Sequence, residues 1–366
     1  MGNGRKHILI TLPSLEDPGG VAGYYNAILP HLPDKKLTVS TLEIGSTKGG
    51  GQRLYLLTDQ LRFHYATKKH RPHLVHVNPS LDIKSFIRDG LFIFQAKRKK
   101  LPVIVFFRGW QKNFERVVQS RLRFFFNCTY ARADSFIVLA NEFKTTLQRW
   151  GITQPIHLGT TTVDESLLKN FSFSNKLAKI KRAEQIKILF LSRLEREKGI
   201  FETIDAVSIL IQKGFSVSLS IAGDGMMMDK LKHYVNKQKI SKNSICFLGY
   251  LKKNEKSIVL ADHHIYCLPT YYGEGLPNSI LEAMAFGLPV VTRPVGGIAD
   301  FFRSEKMGIL CQGKTANEIA VSLEKIIENK EMMIQMSAYN FEYAKEHFMA
   351  SSVAQKLSAI YQLNMV

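Results

Sequence analysis

The chain has 366 residues, a hydrophobic fraction of 45% and a formal net charge of +19 at pH 7. This composition excludes an intrinsically disordered protein, and the length is sufficient for two domains of ordinary size. No apolar run reaches the roughly 18 residues that a membrane-spanning helix needs, and the N-terminal apolar run is too short for a signal peptide. The four cysteines lack CxxC spacing, which favours a reducing cytoplasm as the location.

The positive charge leans towards the first half of the chain. Residues 1–165 hold 24 Lys and Arg against 12 Asp and Glu, whereas residues 166–366 hold 26 against 19. A field of this sign attracts polyanions such as nucleic acid, anionic lipid headgroups or phosphorylated substrates. Composition by itself does not choose among these three partners.

Strand-like and helix-like segments alternate through the first half of the chain. The predicted strands are 8–12, 37–42, 74–77, 103–107, 135–139 and 155–158. Amphipathic stretches at 53–69 and 114–130 predict helices. Nearly continuous runs of Ile, Val, Leu and Phe that alternate with helices are typical of a parallel sheet covered on both faces.

A polar stretch at 171–185 marks the predicted domain boundary, and the pattern starts again after it. The second set of predicted strands is 187–191, 217–222, 245–248, 264–268, 289–292 and 308–311. We therefore predict an α/β fold with two doubly wound, Rossmann-like domains, residues 1–170 and 171–348. Two such domains place a ligand at the carboxyl ends of their strands, in the cleft between them.

The most informative motif is PTYYGEGLPNSILEAMAFGLP at residues 269–289. Glu274 lies in its glycine-rich loop, and Glu282 lies inside a predicted helix. The segment 276–279 between them leaves backbone N–H groups near the helix start free to meet an anion. Two carboxylates with such N–H groups suit a polyhydroxylated molecule that bears phosphate, which describes a nucleotide-activated sugar.

This motif resembles the E-x7-E motif of retaining glycosyltransferases with the GT-B fold, in particular the large fourth family, glycosyl transferases group 1. The resemblance extends through LPVV at 288–291 and PVGG at 294–297. It implies that Glu282 binds the nucleotide ribose and that Glu274 contacts hydroxyls of the donor sugar. The donor diphosphate is then expected beside the loop and helix start formed by Gly275, Leu276, Asn278 and Ser279.

Two cations follow a predicted strand in the segment LFLSRLEREKG at 189–199. Arg193 lies just beyond the strand and Lys198 five residues later, so the pair can hold a diphosphate from two sides. Their charge would compensate the charge that develops on a departing diphosphate, and the resemblance implies the same role. We expect Glu274, Arg193 and Lys198 to be the catalytic residues; an ordinary exposed basic turn is the alternative for the two cations.

Three glycine turns follow other predicted strands. Gly19 and Gly20, after the first strand, let the backbone approach a phosphate or a sugar. Gly223 lies in the turn IAGDG, and Gly249 and Tyr250 follow the next strand. The resemblance places the first turn beside the transferred sugar and the other two on the nucleotide side.

Arg108 departs from the family pattern, because many members carry a histidine after this strand that contacts the donor sugar. An arginine stays protonated and cannot act as a base. It can contact a phosphate of the donor or the acceptor, and a strand-end ion pair is the equally weighted alternative.

Together these features predict a retaining glycosyltransferase that moves a sugar from a nucleotide-diphosphate donor to an acceptor hydroxyl. A basic chain without a membrane span suits a cytoplasmic enzyme peripheral to the inner membrane face, where the acceptor is a lipid-linked or polysaccharide glycan in bacterial cell-surface polysaccharide synthesis. The resemblance implies that the C-terminal helix, 349–366, packs back on the N-terminal domain.

No cofactor and no metal are predicted, because the histidines lack metal-ligand spacing and the chain has no DxD triplet. A sugar-nucleotide epimerase or a phosphorylase on the same fold remains an alternative. A nucleic-acid-binding protein is a third reading, but the chain shows no motif for nucleic-acid recognition and we expect no such partner.

Overall fold

The computed structural model describes residues 5–17, 19–32, 36–45, 52–237, 244–271 and 275–365. These residues form two compact units. The first unit takes the described residues of 1–162, 273–276 and 350–366, and the second takes those of 163–272 and 277–349. The N-terminal portion of the first unit thus ends at residue 162, before the predicted boundary stretch at 171–185.

The first unit is built on a six-stranded parallel sheet. Its strand order is β2-β1-β3-β5-β7-β8, and β4 and β6 form a separate two-stranded parallel pair. The strands are β1 Lys6–Leu12, β2 Leu37–Glu43, β3 Leu74–Val77, β4 Ser80–Leu81, β5 Val103–Phe106, β6 Gly109–Trp110, β7 Ser135–Val138 and β8 Ile156–Leu158. The helices are α1 Gly20–Ile28, α2 Gln52–His70, α3 Ile83–Arg98, α4 Lys112–Ser120, α5 Arg123–Cys128, α6 Asn141–Arg149 and, from the C-terminus, α15 Ala350–Leu363.

The second unit is also built on a six-stranded parallel sheet, with the strand order β11-β10-β9-β12-β13-β14. Its strands are β9 Ile186–Leu191, β10 Val217–Ala222, β11 Ile245–Gly249, β12 Ile265–Leu268, β13 Val290–Thr292 and β14 Gly308–Leu310. Its helices are α7 Phe173–Arg182, α8 Ile200–Gln212, α9 Met228–Lys237, α10 Lys253–Asp262, α11 Asn278–Ala285, α12 Ile298–Phe301, α13 Ala316–Glu328 and α14 Lys330–His347. This strand order is the Rossmann order.

The central strands of both sheets are buried, as expected for parallel sheets that helices cover on both faces. Every residue of β3, β5, β7 and β12 is buried. A strand that is covered by helices on both faces buries its alternate side chains equally, so it reads as an unbroken apolar run. The α/β prediction with two Rossmann-like units is therefore confirmed.

One segment contains a helix that the sequence analysis did not predict, and another forms two helices where one was expected. The boundary stretch 171–185 contains helix α7, because the Ser172 side chain accepts a hydrogen bond from the Asn175 N–H and Ile180 is buried. The amphipathic stretch 114–130 forms two helices, α4 and α5, rather than one. The backbone leaves the helical path between them, at Arg121 and Leu122.

Helix α15 joins the first unit through a buried polar network. The hydroxyl of Tyr361 lies 2.6 Å from Nδ1 of His76, and both residues are fully buried. The hydroxyl of Tyr25 donates to Oδ1 of Asn78 at 2.7 Å and lies 3.4 Å from Nε2 of His76. Burial lowers the pKa of His76 to about 3, so this ring is neutral at physiological pH and suits an uncharged network.

Replacing Tyr361 with Phe should lower the free energy of unfolding of the first unit by about 1–3 kcal/mol, because Nδ1 of buried His76 loses its partner while the ring packing is kept. Urea denaturation measures the change. Leu363→Ala is the matched control on the same helix, because Leu363 is 70% exposed, and its effect should stay within about 0.5 kcal/mol. Equal effects for the two variants would contradict the role of this hydrogen bond.

Candidate functional site

The site lies at the carboxyl edge of the second sheet. Strands β9 and β12 are neighbours, and the order of strands runs outwards from them in opposite directions. Ligands of doubly wound sheets bind at such a switch point, beyond the carboxyl ends of the two strands. The segment 192–199 follows β9, and the segment 269–277 follows β12 and leads into α11.

The two predicted cations share one electrostatic environment after β9. The side chain of Arg193 is 67% exposed and forms a 2.9 Å ion pair with Glu195. Lys198 is buried in a short 3-10 helix, where burial and then the charge of Arg193 lower its pKa to about 8. An exposed ion pair contributes little free energy, so Arg193 can exchange Glu195 for a phosphate at small cost.

Glycines shape the loop that carries Arg193. Gly223 has a φ of 132°, and a Cβ at this position would lie 1.9 Å from the carbonyl oxygen of Ser192. Gly225 has a φ of 155°, and its Cβ would lie 2.7 Å from the carbonyl oxygen of Leu194. The turn after β10 therefore packs directly on the backbone on both sides of Arg193. In this structure Gly223 supports the loop that carries the cation.

Helix α11 begins at the same edge and presents an open N-terminus. Pro277 precedes the helix without a side-chain cap, and the first turn contains no acidic residue. The hydroxyl of Tyr266 lies 2.7 Å from Oγ of Ser279 and 2.8 Å from the carbonyl oxygen of Leu191, the last residue of β9. This bridge holds the helix start against the strand that leads to Arg193. The N–H groups and the helix dipole make this place suitable for an anion.

Glu282 lies on α11 and is only 8% exposed. Its Oε1 accepts a 2.6 Å hydrogen bond from Nζ of Lys256, which keeps the buried carboxylate charge-paired. A carboxylate has about four acceptor positions, so Glu282 has capacity for ribose hydroxyls besides Lys256. Sequence reasoning missed Lys256, because nothing in the lysine-rich segment 252–256 distinguishes it from its neighbours.

A second residue that sequence reasoning missed is Arg293, the residue after β13. It is 3% exposed, and its guanidinium donates to the carbonyl oxygens of Gly313 and Pro269. These bonds fix the start of the segment that follows β12. The sequence feature that could have pointed to Arg293 is its position directly after the apolar run of β13.

The structure places the remaining predicted residues as follows. Gly249 ends β11 with a φ of 68°, and Tyr250 beside it is 70% exposed. Asn278 is the first residue of α11. Glu274 lies outside the described residues, so its role stays a prediction.

The other predicted residues belong to the first unit. Gly19 and Gly20 are exposed at the start of α1. Gly275 approaches Leu139 so closely that a Cβ would lie 2.8 Å from Cδ1 of that leucine. The donor-binding roles of Gly19, Gly20, Gly275 and Leu276 stay predictions.

Arg108 does not form the strand-end ion pair that was the alternative expectation, as far as the described residues show. Its guanidinium lies over the rings of Tyr24 and Phe106, and within the described part of the chain no carboxylate pairs with it. In the same part of the chain, no group of three or more His, Cys, Asp or Glu side chains is placed to hold a metal.

Comparison with known proteins agrees with this geometry. Residues 173–343 match the family described as glycosyl transferases group 1. An uncharacterized glycosyltransferase of Haemophilus influenzae is 33% identical over 164 residues, 44% of each chain. The Staphylococcus aureus capsular polysaccharide biosynthesis glycosyltransferase CapM is 24% identical over 235 residues, 61% of this chain and 56% of that protein. The chain thus spans about half the length of these two relatives.

A solved structure shares the fold over nearly the whole chain. The Anabaena protein HepE, in complex with UDP and glucose, superposes with a TM-score of 0.70 at 16% identity and covers 97% of this chain and 99% of its own. The predicted GT-B fold and the resemblance to group 1 glycosyltransferases are therefore confirmed.

The role of Gly223 in holding the Arg193 loop can be tested with two alanine variants. Gly249→Ala should cost about 1–2 kcal/mol of stability through its positive φ alone, because no atom lies within 4 Å of the added Cβ. Gly223→Ala should cost more than twice as much, because its Cβ overlaps the carbonyl of Ser192. Urea denaturation compares the two, and equal losses would show that the close approach is unimportant.

Proposed function

We propose that the chain, whose residues 173–343 match the group 1 glycosyl transferases, transfers a sugar from a nucleotide-diphosphate donor to an acceptor hydroxyl. The observation that carries this proposal is the convergence of Arg193, Lys198 and the start of α11 at the switch point of the second sheet. Two cations and an open helix N-terminus compensate the charge of a departing diphosphate. The UDP complex of HepE supports a nucleotide of this kind.

In this proposal each group has one task. Glu282, oriented by Lys256, accepts hydrogen bonds from the ribose hydroxyls. Arg193 and Lys198 hold the diphosphate while the glycosidic bond to it breaks. The acceptor hydroxyl attacks from the face that the diphosphate leaves, so the anomeric configuration is retained, and the leaving diphosphate takes the hydroxyl proton. Glu274 is proposed to orient the donor sugar.

We propose a lipid-linked or polysaccharide glycan as the acceptor. The similarity to CapM, a capsular polysaccharide biosynthesis glycosyltransferase, and the net charge of +19 support this class. Within the described residues no helix is both long and apolar enough to cross a bilayer. A basic surface would instead hold the chain at an anionic membrane face. Flotation with anionic vesicles tests this location, which is wrong if binding is absent even at low salt.

Two rival activities use similar ligands. A sugar-nucleotide epimerase converts its substrate without any acceptor, so incubation with the donor alone separates it from a transferase. A phosphorylase acts on a glycan with inorganic phosphate and needs no nucleotide. Transfer that requires both nucleotide sugar and acceptor distinguishes the proposed function from both.

The central experiment is a thermal-shift screen of nucleotide diphosphates and their sugars. A true ligand at 100 times its Kd should stabilise the folded chain by about 2.7 kcal/mol. Glu282→Gln should weaken the nucleotide identified by this screen about tenfold to a hundredfold, the loss expected for a hydrogen bond to a charged group.

Glu324→Gln is the matched control, because Glu324 forms a 2.6 Å ion pair with Lys213 elsewhere in the same unit. Its nucleotide affinity should equal that of the wild type. A screen in which no nucleotide diphosphate stabilises the chain would overturn the proposed function.

Lys198 gives nucleotide binding a pH dependence with a definite sign. Its pKa of about 8 means that its charge is lost as the pH rises through this value. A diphosphate binds the charged form, so affinity should be constant well below pH 8 and fall by up to about tenfold per pH unit above it. Lys198→Arg keeps its charge throughout and should flatten this dependence. Calorimetric titrations between about pH 6.5 and 9.5 measure it; identical profiles for wild type and variant would remove Lys198 from the diphosphate site.

A further inference from the structure

Arg108 is a buried cation in the first unit that the proposed transfer chemistry does not use. It lies just beyond β5, where its backbone N–H donates to the carbonyl of Pro79 at 2.9 Å. The guanidinium carbon is 3.9 Å from the ring centroid of Tyr24 and 4.4 Å from that of Phe106. The backbone and the two rings thus hold the guanidinium in a defined position.

The hydrogen-bonding capacity of this guanidinium is only partly filled, by a side-chain hydrogen bond with Tyr24. Its Nε and Nη1 are buried, and neither has a hydrogen-bond partner among the described residues. Buried charges in proteins are normally paired, because an uncompensated charge loses its hydration without a replacement. The aromatic rings attract the cation, but they carry no charge that balances it.

Other arginines of the first unit show what a structural role looks like. Arg88 forms an ion pair with buried Asp89 at 2.9 Å. Arg123 also lies over a ring, that of Phe126, but its Nη2 donates to the carbonyl oxygen of Trp150 at 2.6 Å. Arg108 has a side-chain hydrogen bond with Tyr24, but its Nε and Nη1 have no partner among the described residues.

The groups around Arg108 supply no negative charge. Tyr24 and Tyr25 are buried phenols whose pKa values burial raises, so both are neutral. His76 is also neutral, because burial and the charge of Arg108 lower its pKa to about 3. A group that balances this cation must therefore come from outside the described surroundings of Arg108.

The position of Arg108 favours a ligand as that group. The strand order of the first sheet turns at β1 and β3, and β5 is the next strand, so Arg108 lies at the carboxyl edge where doubly wound sheets bind ligands. Tyr24 belongs to α1, whose start has no side-chain cap and no acidic residue in its first turn. A Cβ at Gly19 would meet no atom within 4 Å, so there is open space before this helix. The residue as a whole is partly exposed, whereas its Nε and Nη1 are buried.

We propose that the first unit binds an oxyanion, a phosphate or a carboxylate, through Arg108 beside the start of α1, and hence that the substrate group recognised by this unit is acidic. The planar guanidinium is suited to both groups, because each offers two oxygens to a pair of parallel N–H donors. The inference rests on the proposed function in one respect: it names the chemical class of a molecule that a glycosyltransferase of this kind would handle. It does not depend on the roles of Arg193, Lys198 or Glu282.

The test uses the full chain saturated with UDP, so that the second unit is already occupied. Inorganic phosphate and glucuronate are titrated separately by calorimetry, and glucose serves as the uncharged control. The two anions distinguish a phosphate site from a carboxylate site. We expect one of them to bind and glucose to show no comparable affinity.

Arg108→Met should lower the affinity for that anion about tenfold to a hundredfold, the range for a hydrogen bond to a charged group. Its thermal midpoint without anion should equal or exceed that of the wild type, because the substitution removes an unpaired buried charge. Arg123→Met is the matched control: it should keep the anion affinity but lower the thermal midpoint, because it loses the bond to Trp150.

If Arg108→Met fails to fold, NMR of the Arg108 side chain tests the inference directly. The buried Nε–H of Arg108 exchanges slowly, and its ¹H–¹⁵N signal is assigned as the one missing in Arg108→Lys. Titration with the anion should shift this signal and leave that of Arg123 in place.

The inference is overturned if neither anion binds the wild type, if Arg108→Met binds it equally well, or if the Arg108 signal stays fixed. Failure of the proposed function looks different, because UDP itself would then not bind. An unresponsive Arg108 in a chain that binds UDP and transfers sugar would refute this inference alone.

Discussion

The constraint on which the second unit depends is the switch point between β9 and β12. All parallel strands end at the same edge of the sheet. At the switch point, the connections that follow the two neighbouring strands run to opposite sides, which leaves a crevice for a ligand. The hydroxyl of Tyr266 spans it, from the end of β9 to Ser279 on α11. Gly223 closes the other side by packing on Ser192. The cation loop and the helix start are therefore positioned by contacts within the protein itself.

Electrostatics at this edge combine strength with reversibility. Lys198 is buried, so water would screen its interaction with a bound phosphate less than it screens that of a surface lysine. Arg193 is exposed, and an exposed ion pair such as the one it forms with Glu195 costs little free energy to break. Glu282 is paired with Lys256, which stabilises a buried carboxylate next to a place that otherwise favours anions. The arrangement suits a ligand that carries both phosphates and hydroxyls.

The first unit uses buried polar groups in two contrasting ways. Tyr361 and His76 satisfy each other inside the core, and their bond ties the last helix of the chain to the sheet. Arg108, only a few ångströms from the same aromatic cluster, remains without a partner for two of its nitrogens in the described structure. Satisfied groups stabilise and specify the fold, whereas unsatisfied buried nitrogens cost free energy, which is why we propose a ligand for Arg108.

The sequence by itself determined the two parallel sheets, because strands covered on both faces must be unbroken apolar runs. It also predicts roles for Arg193, Lys198 and Glu282, from their spacing from strand and helix ends and from the family resemblance. It did not distinguish Lys256 from the lysines beside it or show that Arg108 would be buried without a partner. The polar pattern of 171–185 indicates a domain boundary, but it did not predict helix α7, which buries Lys176 and Ile180. Only the tertiary structure decided these points, since pairing and burial depend on which side chains from distant segments meet, and local pattern carries no record of that.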